Sequence, residues 1–466
     1  MRRDVGRSSP GRAVRAPSRP DPREAIFTIL HRVESGQAFA NVLLHRVLTR
    51  DPYSAADQAL ITEVVFGTLR RQGRLDYALQ AAVARPLASL PAAIRAILRA
   101  GLYQMWFLDR VPDAVAVHEA VEAAKRHGHP GTVKLVNAVL RRLAAEGEPA
   151  PPPADIDPAG HLAVTESHPR WLVERWIARW GLNETRALCA VNNTPPPSTL
   201  RVNTLRTPPE AVAARLRERG LTVTQGKAPE ALRVRGTLAL RLDLYNEGLV
   251  TMQDEGAMAV AHLLAPQPGE TIMDATAGSG MKATHIAELM RNHGRVVALD
   301  IQPAKLKSLS AHCARLGIDI VEAHHLDARQ AGVRFRGQMD RVLVDAPCTG
   351  LGVIRRRPEI RWRVAPPLLE TMAAQQRELL AGAAGAVRPE GVLVYAVCST
   401  EPEEGPDVIR DVLRRYPAFA LEEERLLLPH RDETDGFYMV RLRRAPAGRR
   451  EGRRRGEAKR SESSPR

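Results

Sequence analysis

Cysteine is scarce in this chain: its 466 residues include four, namely Cys189, Cys313, Cys348 and Cys398. The four lie far apart and form no Cys-x-x-Cys pair, so the sequence argues against both a disulfide framework and a zinc site. We therefore expect no bound metal and a reducing, cytoplasmic setting.

Long apolar runs are missing as well, since no stretch approaches the roughly 20 residues that span a bilayer. We expect no membrane partner. Residues 1–20 also lack the apolar core of a secretory signal. They and residues 446–466 are Arg-rich, which predicts two disordered basic arms; a transit peptide is the less favoured interpretation of the first. Much of the formal net charge of +15 lies in these arms. The charge is compatible with a polyanionic partner but does not establish one.

Four segments between the arms differ in their pattern of apolar residues and prolines. Helical periodicity over 21–145 predicts a compact all-helical domain. The Pro-rich stretch 146–164 predicts an interdomain linker. Residues 165–247 open with a Trp-rich helix and continue with short strands and helices, which predicts a small α+β unit. From 248 to 445, apolar strand runs alternate with helices and predict a mostly parallel sheet covered on both faces.

Ligands of such sheets bind at the carboxyl ends of the strands, and the first three strand ends predict a nucleoside site. The turn in "TIMDATAGSGMKA" contains Gly278 and Gly280, which let the backbone approach a ligand. Asp300 and Asp327 end the next two strands, where their carboxylates could accept hydrogen bonds from ribose hydroxyls and an adenine amino group. Each aspartate alone is more simply a helix cap. Together, and without a GxGxxG or P-loop fingerprint, they favour S-adenosylmethionine over NAD.

The fourth and fifth strand ends carry two of the four thiols. "VLVDAPCTG" places Asp345 and Cys348 at one end, and "LVYAVCST" places Cys398 at the other. A lone buried cysteine is usually a small hydrophobe, but two that converge on one cleft indicate chemistry. A thiolate that adds to C6 of a cytosine makes C5 nucleophilic toward a methyl sulfonium through a covalent intermediate. A carboxyl group near N3 would stabilise the adduct.

Several stretches now resemble one known family. "LRVNTLR", "QDEGAM", "DAPCTGLGVIRRRPEIRW", "VCSTEPEE" and "DGFYMVRL" are similar to motifs of the bacterial small-subunit ribosomal RNA cytosine-C5 methyltransferases of the Sun/Fmu (RsmB) family. The resemblance spans roughly residues 21–445. It implies an all-α NusB-like RNA-binding domain, a small α+β RNA-binding subdomain and a Rossmann-like S-adenosylmethionine-dependent methyltransferase domain. Small-subunit ribosomal RNA is the implied partner, and a monomer is the default.

The resemblance also implies roles for individual residues. Cys398 would attack C6, Cys348 would assist release of the methylated base, and Asp345 would bind the cytosine edge. Lys282 would help to position substrate or cofactor. Arg355–Arg357, with Arg361 and Arg363, would line an RNA groove or form a solvated basic loop. The residues implied to hold S-adenosylmethionine are Thr276, Ala277, Gly278, Ser279, Gly280, Met281, Lys282, Asp300, Asp327 and Asp345.

One motif departs from the family pattern. The cofactor turn of the family reads close to Asp-x-Cys-Ala-Ala-Pro-Gly-Gly-Lys-Thr, whereas this chain reads "DATAGSGMKA". A catalytically impaired RNA-binding or ribosome-assembly protein that keeps the fold is therefore the alternative. Retention of both Cys348 and Cys398 argues against it, because a binding protein needs neither thiol. An amino-methyltransferase would carry an [Asp/Asn]-Pro-Pro turn, which "DAPC" does not match.

Overall fold

The structure, a computed structural model, describes residues 20–236 and 242–447. The predicted arms 1–20 and 446–466 lie almost wholly outside the described residues. The chain divides into two compact units, Met1–Arg170 and Trp171–Arg466. None of the described helices has the length and apolarity that a membrane span requires.

The described part of the first unit is helical, as predicted. Its core is formed by apolar stripes such as Ile94, Ile97 and Leu98, which are all buried. Helix α5 begins directly after Pro91, since proline lacks the N–H that a helix start leaves unpaired. The helices are α1 (Pro22–Glu34), α2 (Ala40–Arg50), α3 (Ala55–Arg70), α4 (Gln72–Ala82), α5 (Ala92–Phe107), α6 (Asp113–His127), α7 (Pro130–Glu146) and α8 (Pro158–Thr165).

Helix α8 lies in the stretch 146–164 that the sequence predicts as a linker. The Asp157 side chain caps it by accepting a hydrogen bond from the Gly160 N–H at 2.9 Å, and Pro158 occupies the first turn. A capping residue followed by proline is a helix start signal. The helix is too short for its apolar periodicity to be recognised in the sequence.

The second unit begins with a small antiparallel sheet and its helices. The strand order is β2-β3-β1-β4. Strand β4 pairs with β1, although its residues fall in the range that we assign to the methyltransferase domain. The elements are α9 (Arg170–Trp180), α10 (Leu182–Asn192), β1 (Thr199–Val202), α11 (Pro209–Glu218), β2 (Thr222–Gln225), β3 (Ala231–Arg235), α12 (Leu242–Asn246) and β4 (Val250–Met252).

A seven-stranded sheet forms the rest of this unit, with order β10-β11-β9-β8-β5-β6-β7. Five strands pair in parallel, β11 pairs antiparallel with β9, and β10 pairs antiparallel with β11. This arrangement confirms the mostly parallel sheet. The elements are α13 (Glu255–Leu264), β5 (Thr271–Asp274), α14 (Met281–Leu289), β6 (Arg295–Asp300), α15 (Pro303–Leu316), β7 (Val321–His325), α16 (Ala331–Arg334), β8 (Met339–Asp345), α17 (Ile360–Arg363), α18 (Pro366–Ala384), β9 (Val387–Val397), α19 (Pro406–Arg415), β10 (Phe419–Leu427), α20 (Pro429–Asp432) and β11 (Phe437–Arg444).

The strand order creates a switch point between β5 and β8. The chain steps outward from β5 to β6 and β7, then returns to lay β8 on the other side of β5. Two buried apolar clusters pack against the sheet. In open α/β sheets the crevice at such a switch point is where ligands bind, so this fold places a site at the carboxyl ends of β5 and β8.

Candidate functional site

The turn between β5 and α14 has the backbone shape that its glycines permit. Gly278 and Gly280 have φ angles of 56° and 89°, in the left-handed region. A Cβ at position 280 would lie 2.2 Å from the Leu309 side chain, whereas a Cβ at position 278 would meet open space. The Gly278 N–H donates to the Asp300 carboxylate at 3.0 Å. The turn is therefore fixed to the end of β6.

A cavity of about 290 Å³ lies beside this turn. Five of the residues predicted to bind a cofactor line it: Thr276, Gly278, Asp300, Asp327 and Asp345.

The other five predicted residues, Ala277, Ser279, Gly280, Met281 and Lys282, are not among the described residues that line the cavity. Backbone groups of two of them are engaged elsewhere. The Ser279 carbonyl accepts a hydrogen bond from the His312 ring at 2.8 Å, and the Met281 carbonyl accepts one from Arg201 at 2.7 Å. These two backbone carbonyls therefore stabilise the turn through hydrogen bonds to side chains outside it.

Asp327 lies where the sequence predicts it, at the end of the third strand. It caps a short 3₁₀ helix by accepting the Arg329 N–H at 2.9 Å, and it also binds the Arg329 guanidinium. This hydrogen bonding lowers the pKa of Asp327. Its carboxylate is therefore held charged at the wall of the cavity.

Asp274, the last residue of β5, is a buried carboxylate that the sequence did not single out. It is buried, and its Oδ2 atom has no hydrogen-bond partner in the described structure. Burial, helped by the charge of Asp345, raises the pKa of Asp274 to about 7. An unpaired buried carboxylate is costly, which marks a functional position. Its place at the end of the first strand of the sheet was the available signal.

Lys282 and Asp345 form an ion pair across the switch point. The Lys282 Nζ lies 2.6 Å from the Asp345 Oδ2, and the ammonium also lies 5.5 Å from the centre of the Phe437 ring. Burial by itself lowers the pKa of Lys282, but the Asp345 carboxylate overcomes this effect and the net pKa is raised. Thr276 fixes the same strand end by donating its hydroxyl to the Asp345 carbonyl at 2.9 Å.

The two thiols predicted to act together are adjacent. The Cys348 Sγ, in the loop after β8, lies 3.3 Å from the Cys398 Sγ, just beyond the end of β9. Both are free and half-buried. Hydrogen bonding to Cys398 and burial, with a contribution from Glu404, raise the pKa of Cys348 well above its ordinary value.

The remaining two cysteines are core residues. Cys189 and Cys313 are buried, and burial raises the pKa of Cys313 to about 11. Such a thiol is inert at neutral pH. Only the pair at the strand ends is placed for chemistry.

Arg201, from the "LRVNTLR" stretch, is a second residue whose role the sequence did not reveal. It is fully buried, and it pairs with Glu288 at 2.9 Å. It also donates to the Thr284 hydroxyl at 3.0 Å and to the Met281 carbonyl at 2.7 Å. Arg201 therefore fastens the small sheet to helix α14, directly behind the cofactor turn.

Two arginines of the basic segment after Cys348 make contacts within the protein. Arg361 is fully buried and donates to Asn193. Arg356 bridges Asp254 and Asp435, each at 2.6 Å. Arg361 is therefore neither on a groove nor in a solvated loop, because it is fully buried. Arg356 keeps about one third of its side chain exposed while it pairs with the two aspartates.

Arg355 lines a groove; that this groove binds RNA stays a prediction. The groove has a volume of about 1000 Å³, and Arg233 and Arg235 also line it. Arg355 donates to two backbone carbonyls, those of Thr194 and Pro195. Residues of β2 and β3 from the small sheet form part of its wall.

A cluster of two histidines and a glutamate lies outside the catalytic centre. Nε2 of His262 and Nε2 of His285 each lie 2.8 Å from the same oxygen of Glu230. Burial lowers the pKa of His285 to about 4, so its ring is neutral. These hydrogen bonds fasten the segment before β3 to α13 and α14. That the protein binds no metal stays a prediction from the sequence.

Comparisons with known proteins agree with this architecture. Residues 261–443 match the family model described as 16S rRNA methyltransferase RsmB/F, residues 20–145 match the NusB family, and residues 168–241 match the RsmF/B-like ferredoxin-like domain. The chain is 37% identical to the probable ribosomal RNA small subunit methyltransferase B of Bacillus subtilis, over 91% of this chain and 98% of that protein.

Two solved structures are also similar. The crystal structure of PH0851 has a TM-score of 0.80 and 30% identity and covers 91% of this chain and 99% of that one. A methyltransferase homologue from Pyrococcus horikoshii has a TM-score of 0.55 and 26% identity and covers 61% of this chain and 97% of that one.

Fold and comparisons together define a Rossmann-like methyltransferase domain preceded by a ferredoxin-like unit and a NusB-like domain. The chain belongs to the RsmB/F family of 16S rRNA methyltransferases.

Proposed function

We propose that this protein methylates C5 of a cytosine in small-subunit ribosomal RNA, with S-adenosylmethionine as methyl donor and Cys398 as nucleophile. The observation that carries the proposal is the 3.3 Å separation of the Cys348 and Cys398 sulfurs at neighbouring strand ends. Family membership supports the ribosomal RNA substrate.

The residues around the cavity fit S-adenosylmethionine. Gly278 offers open space where a side chain would block a ligand, and Asp300 and Asp327 present carboxylates for ribose and adenine groups. When bound, S-adenosylmethionine supplies the electrophilic methyl group that an activated C5 accepts.

Cys398 forms the bond to C6 of the cytosine. This addition moves electron density to C5 and creates a covalent intermediate. Release then requires loss of the C5 proton, so that the C5–C6 double bond re-forms and the Cys398 thiolate leaves. The proximity of its sulfur to that of Cys398 supports an assisting role for Cys348 in this step.

Asp345 and Lys282 orient the base. Asp345 is about one quarter exposed while its carboxylate binds Lys282, so one side of it can face the cytosine edge near N3. Lys282 holds that carboxylate in place and offsets its charge. Arg235 and Arg355, which line the groove by the small sheet, offer cations for the RNA backbone.

A methyl-transfer assay tests the proposal. Unmodified small-subunit RNA is incubated with labelled S-adenosylmethionine and either wild-type protein or Cys398→Ala, and the RNA is digested to nucleosides. We expect 5-methylcytidine from wild type alone, with S-adenosylmethionine affinity retained in the variant. RNA binding without any methylated product from the wild type would favour the alternative, an RNA-binding protein with an impaired cofactor turn.

A further inference from the structure

Glu404 is a buried carboxylate that the reaction outlined above does not use. It is 0% exposed and ends a short 3₁₀ helix, Pro402–Glu404, six residues after Cys398. We propose that Glu404 is a positioning residue that clamps the Cys348 loop to the Cys398 loop and so holds both thiols against one substrate base. The inference rests on the function proposed above.

Four hydrogen bonds converge on the Glu404 carboxylate. Its Oε1 accepts the Thr349 N–H at 2.8 Å and the Gln376 amide at 3.1 Å. Its Oε2 accepts the Thr349 hydroxyl and the Ser399 hydroxyl, both at 2.5 Å. Thr349 follows Cys348 and Ser399 follows Cys398, so one side chain binds the immediate neighbour of each thiol.

The clamp is itself held by the sheet and by α18. The Tyr395 hydroxyl, from β9, donates to the Glu404 carbonyl at 2.6 Å. Gln376, from α18, also donates to the Pro347 carbonyl at 2.9 Å, one residue before Cys348. Rigid elements therefore hold Glu404 both at its backbone carbonyl, through Tyr395, and at its carboxylate, through Gln376, which is what a positioning role requires.

The charge of Glu404 also acts on Cys348. It is one of the causes that raise the pKa of Cys348, after the hydrogen bond to Cys398 and burial. Cys348 is therefore kept as a thiol while the substrate is attacked. A protonated Cys348 agrees with its proposed role as the assisting group.

Two substitutions separate geometry from charge. Glu404→Gln removes the charge and keeps the side-chain shape. It can also keep the hydrogen bonds, because both partners of Oε2 are hydroxyls, which can accept a hydrogen bond from an amide as well as donate one. Glu404→Ala removes the charge and all four hydrogen bonds. Asp407→Asn is the matched control, since this nearby carboxylate is exposed and pairs with Arg410 on the surface.

The first readout is independent of methyl transfer. The proteins are treated with diamide, and the Cys348–Cys398 disulfide is quantified in peptides by mass spectrometry. We expect wild type, Glu404→Gln and Asp407→Asn to cross-link at rates within about twofold of one another, and Glu404→Ala to be at least about tenfold slower. Rescue by glutamine distinguishes positioning from charge.

The second readout follows reactivity against pH. Alkylation of Cys348 by iodoacetamide should begin at a lower pH in Glu404→Gln than in wild type, because the negative charge is gone. In methylation, Glu404→Ala should lose kcat with KM and S-adenosylmethionine affinity largely kept. If wild type forms no 5-methylcytidine, the proposed function fails, while cross-linking still decides the clamp.

Equal cross-linking rates in Glu404→Ala and wild type would overturn the proposal. If Glu404→Ala does not fold, Thr349→Val decides instead, since it removes one of the four donors without changing side-chain shape. We expect this variant to cross-link more slowly than Asp407→Asn, and an unchanged rate would overturn the clamp.

Discussion

Arg201 offers a severe test of how the small sheet supports the cofactor turn. Its guanidinium is fully buried, pairs with Glu288 at 2.9 Å and donates to the Met281 carbonyl at 2.7 Å. Burial raises the pKa of Glu288, so this carboxylate depends on Arg201 to stay charged. Arg201→Met removes the cation while keeping an unbranched side chain of comparable length.

Loss of one partner of a buried ion pair costs about 3–5 kcal/mol, because the other charge is left uncompensated. We expect Arg201→Met to lower the free energy of unfolding by about that amount. Arg215→Met is the matched control, since Arg215 and Glu247 form an exposed pair in the same unit, with 39% and 43% of the side chains accessible. Exposed pairs contribute about 0–1 kcal/mol.

Guanidinium denaturation followed by tryptophan fluorescence measures the difference. The protein has five tryptophans, and all except Trp106 lie in the C-terminal unit, so the signal reports mainly on it. Arg201→Met/Glu288→Leu should recover much of the loss, because it removes both charges. Arg201→Met should also bind S-adenosylmethionine more weakly than Arg215→Met. The reasoning is refuted if both single variants unfold at the same denaturant concentration, or if the double variant is no more stable than Arg201→Met.

Three further predictions concern the site. Cys348→Ala should accumulate a denaturation-resistant protein–RNA adduct visible on a gel, since attack by Cys398 proceeds while release is slowed; absence of the adduct would contradict the release role. Asp327→Asn should weaken S-adenosylmethionine binding in calorimetry, and an unchanged affinity would remove Asp327 from the cofactor site. The folded-state pKa of Asp274, about 7, lies above its ordinary 3.8, so protonated Asp274 stabilises the fold below about pH 4 and this contribution is lost as the pH rises through 7. Asp274→Asn should therefore flatten the fall in the denaturation midpoint between pH 4 and pH 7; a slope like that of wild type would show that Asp274 does not titrate there.

The site residues that could be predicted are those that lie at the end of a strand, because an apolar run in the sequence locates that end. Asp300 and Cys398 each follow an apolar run, and parallel strands bring such ends to one edge of the sheet. The structure places Asp300 at the cavity and Cys398 beside Cys348. A pattern of strands and turns was sufficient to predict these two positions, because the parallel topology brings the strand ends together.

Pairings between distant buried polar groups could not be predicted. Arg201 and Glu288 lie 87 positions apart, and Glu404 binds Thr349 across 55 positions. A single arginine in a basic sequence is predicted to be exposed. Whether its side chain is buried depends on tertiary packing, which the apolar periodicity of the sequence does not encode. For the same reason Arg361, predicted on an RNA groove or a solvated loop, is instead fully buried against Asn193.

The four cysteines show why position decides chemistry more than residue type does. Cys313 lies on a helix facing an apolar core, where burial raises its pKa to about 11 and leaves it a small hydrophobe. Cys398 also follows an apolar run, but the run is a strand that ends at the switch-point edge of the sheet. Residues three or four apart share one face of a helix, so a residue on the apolar face packs into the core. The last residue of a parallel strand instead lies at the crevice where ligands bind. Ser399, the residue after Cys398, then binds Glu404, so the loop that carries this thiol is tied to the loop that carries Cys348, which Glu404 binds through Thr349.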